Sequence, residues 1–269
     1  MHADLVLSRR GFLAASSLAG AGLIFNVGCL NPARADDGGR AKALAAALAH
    51  MKQHQRPGIA IVVPDDAGQR AALAQQLPGV FPLTQLHGAF PAGAEVLLEA
   101  VWLCATAKDV DAQPGESLVL LTPEGKRSAG AQADFAQPTT VHIAAEKLLA
   151  AGRQARAARE GAAPEVAKAL EQLATPQTFW DGSGALTPRF DDVASAVIAA
   201  RLGTKDPEVR QAIGRMLNEL YWHRLQASTG FPYGAEARPE VDEPDPCPPC
   251  GMAMPSIRAR TFLGFFSGR

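Results

Sequence analysis

The chain carries none of the short motifs that announce common hydrolytic or phosphoryl-transfer chemistry. It has no Gly-x-Ser-x-Gly nucleophile turn, no His-Glu-x-x-His zinc helix and no phosphate-binding glycine loop. Positive charge is not in excess: 26 basic residues stand against 27 acidic ones, a net of −1. That balance argues against nucleic acid or an anionic membrane as partner, since both select for a basic surface. Cysteine is sparse, at four residues. Outside the N-terminal region, no apolar run approaches the ~20 residues needed to span a bilayer. A catalytic role is therefore not the first expectation.

What is present begins with an export signal. Ser8-Arg9-Arg10-Gly11-Phe12-Leu13 puts paired positive charge before an apolar, small-residue run from Ala14 to Val27. Ala33-Arg34-Ala35 then supplies a small-x-small cleavage pattern. Paired arginines followed by Phe-Leu resemble the twin-arginine (Tat) signal, which implies export of the folded chain to a periplasmic or other extracytoplasmic space. Cleavage after Ala35 starts the mature protein at Asp36; the alternative is a lipid anchor at Cys29, after Val27-Gly28. Cleavage takes three of the 26 basic and one of the 27 acidic residues, leaving 23 and 26, a net of −3. The 234 residues that remain of 269 suit one large or two small domains, with no transmembrane segment after signal removal.

Residues 36–55 read as an N-terminal helix ending in His50, Met51, Lys52 and His54. The two histidines stand four apart and share a helix face, a spacing that can hold a metal. No third ligand stands nearby in sequence, so an ordinary exposed face is expected. Arg56-Pro57-Gly58 breaks the helix. Ile59 to Val63 is a short β-branched run between turn signals, expected as a strand buried on both faces. Asp65 or Asp66 caps a helix from about Ala67 to Leu77. Val80 to Leu86 is the next strand candidate. Ala94 to Ala107 is apolar throughout and long enough for a buried helix, with a strand left open. Within it Cys104 is expected as a small buried hydrophobe. Ser117 to Thr122 is a strand ended by the turn chemistry of Pro123-Glu124-Gly125-Lys126, and Thr140 to Ala158 is a long helix.

This order of strands and helices, with a Pro114 loop leading to the Leu118 strand and then a turn, resembles the thioredoxin-like fold. The resemblance implies an α/β domain over residues 56–158 with flanking helices. It also implies a cis-proline in the Pro114 loop, and neighbouring central strands at Ile59–Val63 and Leu118–Leu121. Redox-active members carry Cys-x-x-Cys after the first core strand, where a helix N-terminus lowers the thiol pKa. This chain has Pro64-Asp65-Asp66-Ala67-Gly68 there. The domain is expected to be a redox-dead scaffold.

Residues 159–230 form the helical C-terminal part. A helix from Pro164 to Leu173 precedes an aromatic-bearing loop from Thr175 to Leu186. Thr187-Pro188 opens a helix running to Leu202, and Asp206-Pro207-Glu208 opens another with Val209, Ile213, Met216, Leu217 and Leu220 at core spacing. The junction between them looks like one HEAT-type repeat, but no second copy follows, so one antiparallel hairpin is expected. Asp181, Asp191 and Asp192 offer a carboxylate pair, although acids at helix starts are ordinarily caps.

Residues 231–269 are a Pro-rich acidic linker, a sulfur-rich segment and a short amphipathic helix, Ile257 to Phe266. Cys247-Pro248-Pro249-Cys250-Gly251-Met252-Ala253-Met254 puts four sulfur side chains within eight residues. Two thiolates and up to two thioethers suit Cu(I). Cys-x-x-Cys-Gly-Met also resembles the metal-binding stretch of exported copper-handling lipoproteins that serve nitrous oxide reductase. That resemblance implies Cys247, Cys250 and Met252 as ligands, with Met254 a further thioether. Zinc is an alternative, needing ligands from elsewhere such as Asp245, and so is a Cys247–Cys250 disulfide, structural or redox-active. The expectation is an exported protein that binds or delivers copper. Its rivals are a periplasmic thiol–disulfide oxidoreductase using the same cysteines, and a non-catalytic subunit bound to an exported partner protein.

Overall fold

The computed structural model describes residues 37–81, 93 and 95–229. The signal region, residues 82–92, the linker, the sulfur segment and the expected terminal helix lie outside them. The chain folds as an α/β protein: a four-stranded mixed sheet with flanking helices and a helical C-terminal part. Strand β1 (Gly58–Val63) lies inside the sheet, parallel to β2 (Val101–Thr106) and antiparallel to β3 (Leu118–Leu121). The edge strand β4 (Arg127–Ala131) runs antiparallel to β3, and the order is β2-β1-β3-β4. The Ile59 and Leu118 strands are therefore adjacent and central, and the Pro123–Lys126 turn joins the last two. None of the described peptide bonds is cis, so Pro114 is trans, where the resemblance implied a cis-proline.

Alternation across the pleat divides the core. Ala60, Val101, Leu103, Ala105, Val119 and Leu121 face helix α1 (Asp37–Gln53), which covers that side with Ala47 and Met51. The small side chains let α1 lie close: a Cβ on Gly58 would come within 2.6 Å of Met51 Sδ. Ile59, Ile61, Trp102 and Leu118 face the other way. There they meet α2 (Ala67–Val80), α4 (Pro138–Glu160) and the C-terminal helices in one continuous cluster. Those helices are α5 (Pro164–Leu173), α6 (Phe179–Leu186), α7 (Phe190–Gly203) and α8 (Pro207–Thr229). Val209, Ile213, Met216, Leu217 and Leu220 of α8 are all buried, as their spacing predicts. Among the described residues no helix is long and apolar enough to cross a membrane.

Three expected elements are corrected. Val80 closes α2 rather than opening a strand, and the Phe81 N–H still bonds the Leu77 carbonyl at 3.0 Å; residues 82–86 of that strand candidate lie outside the described residues. The run from Ala94 is not one helix: a single turn, α3 (Val96–Glu99), breaks at extended Ala100 and continues as β2. Burial of β2 on both faces erases the two-residue period that marks a half-exposed strand. The 175–186 stretch is not all loop, because α6 forms within it. Gly182 serves close packing rather than a turn; a Cβ there would lie 2.5 Å from the Ala169 carbonyl oxygen of α5.

Candidate functional site

Two helix ends meet beside the sheet. At the end of α1, His50 and His54 stand one turn apart with ring centroids 4.5 Å from each other. Gln55 then adopts a left-handed conformation, φ 51°, which turns the chain so that Arg56 enters the interior, 1% exposed. Facing them, the first turn of α7 presents Asp191 and Asp192. His54 Nδ1 lies 2.7 Å from Asp192 Oδ1. The Arg56 guanidinium donates to Asp191 Oδ1 and to the Leu98 carbonyl. His50 is 2% exposed, and neither of its ring nitrogens has a hydrogen-bond partner. Its Nε2 stands 3.7 Å from Asp191 Oδ1, beyond hydrogen-bond reach. A donor atom from each of His50, His54 and Asp191 lies within 4.8 Å of the other two.

Behind this junction runs a seam of buried charge. Glu99, wholly buried, accepts from Arg153 Nε at 2.8 Å and Nη2 at 2.6 Å, and from Arg156 Nη2 at 2.6 Å. Arg153 also donates to both oxygens of Glu146 at 2.6 Å. Burial opposes its charge, but Glu146 and Glu99 outweigh that and hold the guanidinium more firmly protonated than usual. Arg156 reaches Ser195 Oγ of α7 at 3.2 Å. Glu160 accepts from the Ala196 N–H at 2.9 Å; burial nonetheless pushes its carboxyl above the ordinary range, against hydrogen bonds from Ala196 and Ser195 and the field of Arg56. Arg201 and Glu95 form a further buried pair at 2.5 Å. These groups join α3, α4 and α7, and Glu99, Arg153, Arg156, Glu95 and Arg201 each face an oppositely charged partner.

The residues expected to carry chemistry fall differently. Cys247, Cys250, Met252 and Met254 lie outside the described residues. Asp66 caps α2, accepting from the Gln69 N–H at 2.8 Å, so no thiol stands at the start of that helix. Cys104 is buried but is disulfide-bonded rather than a simple small hydrophobe; Cys29, Cys247 and Cys250 all lie outside the described residues. Asp191 and Asp192 do not cap their helix and instead face the two histidines. His50 is not on an exposed face. In the sequence Arg56 marks only a helix break and Glu99 no site, though Glu99 carries a signal: a lone acid in a run as apolar as Val96–Ala105 must be paired. No family model matches the chain, and neither curated proteins nor solved structures give a match.

Proposed function

We propose that this is an exported, non-catalytic protein that binds or delivers a soft metal ion, copper, from a scaffold unable to exchange dithiols. The observation that carries the reading is the distribution of sulfur. Cys247, Cys250, Met252 and Met254 fall within eight residues, while the start of α2 carries the Asp66 cap and no thiol. Thiolates and thioethers together select Cu(I) over harder ions. The Tat-like signal supports export to an oxidising compartment. Once Cys29 is removed with the signal, a Cys104 disulfide within the chain would take Cys247 or Cys250, so the copper reading requires that pair to be free.

The test is a thiol count followed by a Cu(I) competition assay on the mature protein. Both Cys247 and Cys250 must be reduced, so two thiols must react. A count of one means that the disulfide partner of Cys104 comes from this pair, and the copper reading fails. With both thiols present, Cys247→Ser or Cys250→Ser should abolish Cu(I) binding, and Met252→Leu should weaken it less. The oxidoreductase reading predicts indifference to Met252→Leu and a Cys247–Cys250 disulfide that exchanges readily with glutathione.

A further inference from the structure

We propose that His50, His54 and Asp191 form a metal site of imidazole–carboxylate chemistry that takes a borderline divalent cation such as Zn2+ or Cu2+. None of its three ligands belongs to the sulfur segment. The starting point is His50. A buried polar atom with no partner is costly to keep, and His50 keeps two such atoms beside a carboxylate it does not bond. An imidazole kept in a core for packing alone would donate to a backbone carbonyl, as His142 can to Val80 at 3.0 Å.

The spacing suits an ion. Two ligands on a tetrahedral centre with bonds near 2.1 Å stand about 3.4 Å apart, and His50 Nε2 and Asp191 Oδ1 stand 3.7 Å apart. One donor atom from each of the three residues lies within 4.8 Å of the other two, and His54, with its side chain 18% exposed, is the more accessible of the two histidines. Asp191, 21% exposed, leaves solvent access for the ion and for a water completing its coordination.

The surrounding groups fit the same assignment. The Asp192 carboxylate accepts only, so at 2.7 Å it draws the His54 proton to Nδ1 and leaves the Nε2 lone pair as the donor. Arg56 donates to Asp191 Oδ1, the same oxygen that faces His50, so it orients the carboxylate while sharing that oxygen with the ion. Its positive charge also acts against any ion bound by charge alone. The site must therefore rely on directional bonds to nitrogen, which excludes Ca2+ and Mg2+. Two histidines at i and i+4 with a carboxylate from a distant element match the spacing of hydrolytic zinc helices. Met51 stands where such a helix carries its glutamate base, so the geometry points to binding and not to hydrolysis.

The test uses the full chain, metal-free, with its thiols alkylated so that only nitrogen and oxygen donors remain. Calorimetric titration should find one equivalent of Zn2+, with no competition from Ca2+. His54→Gln and Asp191→Asn should weaken binding by more than 100-fold, and Asp192→Asn, which removes only the outer partner, by about 10- to 100-fold. Bound Co2+ should give the visible bands of a four- or five-coordinate centre. His54→Gln should keep the metal-free unfolding midpoint, because its side chain is partly exposed. His50→Leu removes the two orphaned nitrogens, so it should hold or raise that midpoint while abolishing Zn2+ binding. Alkylated wild type that takes up no ion overturns the proposal. So does a His54→Gln or His50→Leu variant that binds as tightly as wild type. Loss of Cu(I) binding after alkylation, with Zn2+ uptake intact, would separate this site from the sulfur segment.

Discussion

Glu99→Gln tests whether the buried seam fastens the C-terminal helices to the sheet. Glu99 is wholly buried and receives three hydrogen bonds from Arg153 and Arg156. Removing one partner of a buried ion pair costs ~3–5 kcal/mol, mostly because the other charge is left uncompensated. Glutamine keeps one acceptor oxygen but offers an NH2 to a guanidinium, so the lower figure applies, roughly 3 kcal/mol. For a folded body of this size that lowers Tm by about 6–12 °C. The assay is urea unfolding, in which the midpoint should fall without a change in slope. Glu146→Gln is the internal control. It also loses hydrogen bonds to Arg153, but Glu146 is 37% exposed and water replaces them, so its cost should stay below about 1 kcal/mol. If both variants lose the same stability, buried charge pairing is not what holds the seam together.

Two further perturbations probe the pH response and the packing. Glu160 has a carboxyl pKa raised by burial, so folding favours its protonated form; that stabilisation is complete below the ordinary carboxylate range and is lost as pH rises through the raised value. Stability of Glu160→Gln relative to wild type should therefore improve as pH is taken from about 4 to 7, and a pH-independent difference would contradict the assignment. Gly182→Ala places a Cβ 2.5 Å from a backbone oxygen, while Gly58→Ala meets the flexible end of Met51 at 2.6 Å. The first should cost about 1–3 kcal/mol in denaturant unfolding and the second clearly less, since a side chain can move aside and a helix backbone cannot. The reverse order would refute the close α5–α6 packing.

Much of the fold was legible where one rule sufficed. The β-branched run Ile59–Val63, the Asp66 cap and the Val209–Leu220 spacing each fixed an element without help from distant residues. Legibility failed where tertiary contact overrode local pattern. The apolar stretch Val96–Ala105 is uniformly buried and carries no period, so its break at Ala100 leaves no trace in composition. Gly182 and Gly184 read as loop residues, yet Gly182 is the contact that admits a helix. At the histidine–aspartate junction both halves were visible separately, His50 with His54 by spacing and Asp191 with Asp192 as a helix start. Their meeting was not, because nothing local joins residues 135 or more positions apart.

That separation has a consequence for the order in which the molecule is made. Helix α1 leaves the ribosome before the rest of the described chain, yet His54 and Arg56 at its end are tied to partners 138 and 135 residues later. Closing a connection that long is slow relative to local pairing, so the ties form late. Until α7 is synthesised, the Arg56 guanidinium lacks its acidic partner, and only the Leu98 carbonyl is on hand to receive it. A chain stopped short of Asp191 would therefore leave its first helix loosely seated on a sheet otherwise ready to receive it. Segments 135 or more residues apart must arrive together before the N-terminal helix is locked in place.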